Sequence, residues 1–142
     1  MIKKSFLSIL FIAVISTLFL TSCSTKQNGL ENMKTLKNTK WKALVLNNVD
    51  VKNDRKVANI NFEEDGRVFG NLGCNNFFSS FKEDNGKLTL AQAGSTMMMC
   101  PDMTTEHNFS SVLSNVKSYE INGKNLRFFD QNNKEIAKFI KE

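Results

Sequence analysis

Few residues in this 142-residue chain could do chemistry: cysteines at 23, 74 and 100, the run Met97, Met98 and Met99, and a lone histidine, His107, beside Glu106. Thiols can pair, bind soft metals or attack; thioethers can capture copper(I) or form an adaptable apolar surface; a His–Glu pair can move protons. Spacing argues against most of this. Neighbours on a strand point apart, so Met97 and Met99 would share one face and Met98 the other, one side being core and the other free for a client. Copper needs ligands that converge, and these do not. Adjacent helix positions do not face each other, and a nucleophile such as Ser110 would lack an orienting third group, so Glu106 and His107 read as solvent-exposed helix residues. Cys74 and Cys100 lack CxxC spacing and, with His107 alone nearby, make no zinc set. Gly70, Asn71 and Gly73 could form a nest of amides for an anion, but no Lys and hydroxyl close the motif as in a phosphate loop. A bulge or tight turn carrying Cys74 is the stronger reading. The expectation is a non-catalytic protein with no metal and no cofactor, whose candidate binding surface is Asn71, Asn75, Asn76, Met97, Met98 and Met99.

The elements that must position these residues are mostly strands. Lys40 to Leu46 carries Trp41, Leu44, Val45 and Leu46 and ends at the turn signal Asn47-Asn48. Lys56 to Glu63 leads through Asp65-Gly66 into Arg67-Val68-Phe69, a hairpin whose turn residues tolerate positive φ. Asn76 to Lys82 leads through Asn85-Gly86 into Leu88-Thr89-Leu90, a second hairpin. Past Pro101, Met103, Phe109, Val112, Leu113 and Val116 follow helical spacing, with Asp102 or Thr104 as cap and Glu106 in the first turn. Tyr119 to Ile121, Leu126 to Phe129 and Ile136 to Ile140, separated by Asn122-Gly123 and by Asp130 to Asn133, give three more strands. The fold class is therefore α+β and β-rich: seven or eight strands in an antiparallel, partly open barrel-like sheet, with one helix near residues 102–116 plugging or flanking the open end. The nine Phe residues after the leader are read as core.

The start of the chain resembles a bacterial lipoprotein signal. Lys3 and Lys4 precede an uncharged apolar run from Phe6 to Leu20 that ends in Leu20-Thr21-Ser22-Cys23. As a helix that run would extend roughly 22 Å, short of the ~30 Å hydrocarbon core, so export and cleavage fit better than a permanent span. The resemblance implies removal of residues 1–22, lipid on Cys23, a flexible tether over 23–34 and one domain over 35–142. The competing reading is an ordinary secretory signal or anchor helix with Cys23 incidental. Ser24 in place of an aspartate after the cysteine points to the outer membrane, lipid-anchored and facing the periplasm. Loss of Lys3 and Lys4 lowers the net charge from +5 to +3. The remaining lysines are scattered among Asn and acids, which argues against a nucleic-acid partner. If Cys23 carries lipid, Cys74 and Cys100 are left in a compartment where disulfides persist, and they read as a pair; two separate buried thiols are the alternative.

Gly70-Asn71-Leu72-Gly73-Cys74-Asn75-Asn76-Phe77 and Ala93-Gly94-Ser95-Thr96-Met97-Met98-Met99-Cys100 stand apart from generic strand sequence. Together with Thr39-Lys40-Trp41, Asp65-Gly66-Arg67, Leu88-Thr89-Leu90, Glu106 to Leu113 and Asp130 to Phe139, they resemble the META domain, the family of the heat-shock protein HslJ. The resemblance implies a small β-rich domain with a helix, often on a lipoprotein, and a link between Cys74 and Cys100. It implies roles in heat-shock response, envelope integrity, antibiotic resistance or secretion, and no catalytic residue. Partners would be the membrane, through Cys23, and an unidentified envelope protein. A fold-level likeness to secretion pilot lipoproteins suggests the alternative of a carrier holding an apolar ligand or peptide in the barrel opening.

Overall fold

The computed structural model describes residues 35–52 and 56–142. The leader, the proposed lipidation site Cys23 and the tether lie outside the described residues.

Turn chemistry lays out the chain. Strand β1 (Thr39–Leu46) reverses through Asn47 and Asn48, both at positive φ, into β2 (Val49–Asp50). β3 (Asn59–Phe62) and β4 (Arg67–Asn71) are joined by a loop in which Gly66 supplies the left-handed residue. β5 (Asn76–Asp84) and β6 (Lys87–Leu90) meet at Asn85-Gly86, again both at positive φ, the backbone twist that suits a two-residue hairpin. After β7 (Gly94–Ser95) come helix α1 (Thr104–Asn115), then β8 (Ser118–Asn122), β9 (Asn125–Phe129) and β10 (Glu135–Lys141).

All pairings are antiparallel, and the strand order runs β10-β9-β8-β6-β5-β4-β3-β1. β1 also pairs β10, from Trp41 opposite Lys141 to Leu46 opposite Ala137, so eight strands close into a barrel. The barrel is closed rather than partly open, through a pairing between strands far apart in the sequence that local pattern does not announce. β2 and β7, each two residues long, flank β1 and β5 outside the ring. Hairpin alternation puts the β1–β2, β4–β5 and β9–β10 turns at one end; the β3–β4, β5–β6 and β8–β9 turns lie at the other.

The interior follows the period of two. Trp41, Ala43 and Leu46 on β1, Ile60 and Phe62 on β3, Val68 on β4, Phe77 and Phe81 on β5, and Leu126 and Phe128 on β9 are all buried. A bulge at Ile136 lets consecutive Ile136 and Ala137 both face inward. Six Phe side chains are core: Phe62 meets Phe81 edge-on at 4.8 Å, and Phe109 of α1 packs between Phe77 and Phe139. Phe69, Phe78 and Phe129 are not core, because each falls on an outward position of its strand. Phe69 and Phe78 are cross-strand partners on the outer wall, and the Phe78 ring lies against Gly94 so closely that a Cβ there would sit 2.5 Å from it.

Helix α1 covers the barrel end that holds the β4–β5 turn, turning Phe109, Val112 and Leu113 inward. Asp102, not a cap in the strict sense, accepts the Thr104 N–H at 2.8 Å just ahead of the helix. At the other end the domain begins with a clasp. The Glu83 carboxylate accepts from the Leu36 N–H at 2.9 Å, the Tyr119 hydroxyl at 2.6 Å and the Thr35 hydroxyl, fixing the fully buried Leu36. Burial pushes the Glu83 carboxyl up, but these hydrogen bonds and the Lys37 charge outweigh it and hold the group below its usual range. Burial and the same carboxylate push Tyr119 up.

Candidate functional site

The two sequence stretches that stood out meet at the α1 end. Gly70 closes β4 where the β3 backbone approaches: a Cβ there would sit 2.0 Å from the Asn59 carbonyl oxygen, so no larger residue fits. Gly73, at φ 109°, turns the chain under Thr105 of the helix. That turn delivers Cys74 to Cys100, and the two form a disulfide with Cα atoms 6.1 Å apart.

Asn75 organises the junction. It is 2% exposed, and its side chain satisfies four groups. Its Nδ2 donates to Met98 O at 2.9 Å and to Glu106 Oε1 at 2.9 Å, while its Oδ1 accepts from Met98 N at 2.7 Å and the Thr96 hydroxyl at 2.8 Å. Its backbone N–H donates to Glu106 Oε2 at 2.8 Å. One asparagine thus ties the β4–β5 turn to the methionine loop and to the first turn of α1. Asn71 has a lesser version of this role: Oδ1 accepts from Gly73 N and Nδ2 donates to Asn76 Oδ1, both at 2.8 Å. The anion-nest alternative loses its donors here, since the amides of Leu72, Gly73, Asn75 and Asn76 go to Asn75 O, Asn71 Oδ1, Glu106 and the Thr96 hydroxyl.

Several expectations therefore change. Asn71 and Asn75 are buried brackets rather than binding surface, because their amides are consumed internally; Asn76 remains exposed. Glu106 is not a solvated helix residue but the acceptor that holds Asn75, whereas its neighbour His107 is exposed. Met97, Met98 and Met99 form no strand and none enters the core. They are 97%, 47% and 89% exposed, in a loop fixed through the Met98 backbone and Cys100. The sequence offered the motif but not the Asn75–Glu106 bond, which joins residues from different elements and leaves no periodic trace. Among the described residues no group of three or more His, Cys, Asp or Glu is placed to hold a metal ion.

Beside this junction a cleft of about 460 Å³ separates α1 from the β6–β7 segment. Buried Leu72, Phe77 and Leu113 form its floor with half-buried Leu90, and exposed Gln92, Ser95, Ser110 and Ser114 form its rim.

The META domain family model matches residues 34–142, spanning both motif stretches and every strand described above. The chain belongs to the META domain family. Solved structures similar to this META domain share its fold. An NMR structure aligns with a TM-score of 0.62 at 21% identity, covering 75% of this chain and 94% of the other. A second NMR structure, of a protein from Burkholderia xenovorans, aligns with a TM-score of 0.60 at 18% identity, over 75% of this chain and 83% of that one. A crystal structure of a DUF4847 family protein from Bacteroides vulgatus gives 0.55 at 12% identity, over 74% and 93% of the two chains. No curated protein matches this META domain chain.

Proposed function

We propose that this chain is a non-catalytic, lipid-anchored protein of the outer membrane, facing the periplasm, whose META domain supports envelope integrity under stress by binding other proteins. The observation that carries the binding role is the methionine loop. Exposing three apolar side chains costs hydrophobic free energy unless a partner covers them, yet a disulfide and the buried Asn75 hold them in place. The anchor reading rests on the pattern from Lys3 to Cys23. Within the described residues the Glu83 clasp and the methionine loop lie at opposite ends of the barrel.

The test is a photo-crosslinking amino acid placed at position 97, 99 or 124 in cells, followed by intact mass of the protein from native envelopes. Discrete protein adducts from 97 and 99 but not 124, on a chain starting at lipidated Cys23, are the expected result. Adducts of equal yield at 124, or none at 97 and 99, would remove the binding role; an unlipidated chain would remove the anchor.

A carrier remains the second reading, with a changed location. The barrel is packed with buried Phe side chains, leaving the cleft beside α1 as the place for an apolar ligand. Saturable displacement of a hydrophobic dye, lost on Leu113→Gln, would favour it.

A further inference from the structure

We propose that the outer edge of the segment from Leu90 to Ala93, facing α1 across the cleft, takes up an extended peptide as an added antiparallel strand. This deepens the protein-binding reading and rests on it. In an antiparallel ladder each residue turns its N–H and C=O to the same neighbour, and successive residues alternate. The two-residue loop at Asn85-Gly86 makes Asp84 and Lys87 an exchanging pair, and Ala91 N–H donates to Ser80 O at 2.9 Å. Lys87, Thr89 and Ala91 therefore face β5, and Leu88 and Leu90 face the other way.

Leu88 N–H is met by Lys117 O at 2.9 Å, but β8 pairs β6 at the single register position Lys87–Ser118 and then diverges. From Leu90 onward the outer edge looks across the cleft at a helix rather than at a strand. Native edges are blunted by lysine, proline or cover. Leu90-Ala91-Gln92-Ala93 carries no lysine or proline. Ser110 and Ser114 of α1 supply hydroxyls on the opposite wall, and Leu72, Phe77 and Leu113 offer apolar contact to every second side chain of an incoming strand.

Charge fixes the direction and the chemistry of the partner. No lining residue is charged, while Lys87 and Lys117 stand where the seam closes, and neither forms an ion pair among the described residues. An antiparallel strand on this edge points its carboxyl end at those two cations. The partner is therefore an extended segment with alternating apolar residues and an acidic group on its carboxyl side.

The test is hydrogen exchange on the intact protein with the capped peptide acetyl-Thr-Val-Thr-Val-Thr-Asp. At saturation the outward amides of 90–93, Leu90 first among them, should exchange about tenfold more slowly, while Ala91 N–H, already bonded to Ser80 O, should not change. A peptide ending in Lys instead of Asp should bind about fivefold more weakly, a gap that closes in high salt. The peptide N-methylated at alternate residues should give no protection, since it cannot form the ladder. Equal protection by the methylated peptide, or none at 90–93 with any peptide, overturns the proposal. Either result with the position-97 crosslinks intact would leave the protein-binding reading standing; loss of both would remove both.

Discussion

Asn75 is the side chain on which most of the site converges, and replacing it tests that arrangement directly. Asn75→Ala leaves Glu106 Oε1, Met98 N–H and Met98 O without their partner at a buried junction, keeping only the backbone bond to Glu106 Oε2, and should cost about 2–4 kcal/mol. Urea unfolding measures the loss, and faster amide exchange at 97–99 would show that the loop has come free. Asn75→Asp should be at least as damaging, because it sets a second carboxylate against Glu106 and removes the Nδ2 donors. Glu83 supplies the pH dependence. Its folded carboxyl lies below the unfolded value, so its contribution is present above the usual carboxylate range and is lost as pH falls through the folded value. Glu83→Gln should therefore lower the melting temperature at pH 7, equivalent to about 1 kcal/mol, with a difference from the parent that shrinks in acid. Tyr119 has the opposite sign: its pKa is raised on folding, so stability falls as pH climbs past the ordinary tyrosine value of about 10, and Tyr119→Phe should flatten that alkaline limb of the melting profile.

Strands and turns were the legible part of this molecule, for an identifiable reason. Asn47-Asn48, Asn85-Gly86 and Gly123 announce themselves because few residues accept positive φ, and inward residues such as Ile60 and Phe62 recur at the period of the pleat. The helix was equally clear from Phe109, Val112 and Leu113. What could not be read was anything fixed by contact between elements. Two-residue strands such as β7 exist only because β5 offers an edge, and the methionine run was misjudged because hydrogen bonds to Asn75, not strand periodicity, set its course. Cysteine pairing came from compartment and resemblance, and the structure places the two residues in bonding distance. Gly70 gives the element-scale prediction. A methyl group there meets the Asn59 carbonyl, so Gly70→Ala must push β4 from β3, at a cost of about 2–4 kcal/mol by denaturant titration, whereas Gly123→Ala meets nothing within 4 Å and pays only for its positive φ.

For the whole molecule, the Cys74–Cys100 bond spans 26 residues and ties the β4–β5 turn to the segment entering α1. The chain-entropy model assigns such a loop about 3.5 kcal/mol, or roughly 15–25 °C in melting temperature for a domain of this size. Replacing both cysteines by serine should produce that drop in oxidising buffer. Added reductant should bring the parent down to the same value and leave the variant unmoved. An equal effect of reductant on both proteins would contradict the assignment. The pairing of β1 with β10 reaches further, into how the protein comes to exist. A chain made from its amino end presents Trp41, Ala43 and Leu46 early, yet their partner β10 comes after every other strand of the barrel. Closure must wait for β10, so a message truncated before Glu135 yields an open sheet with two raw edges, ready to join other chains instead of itself.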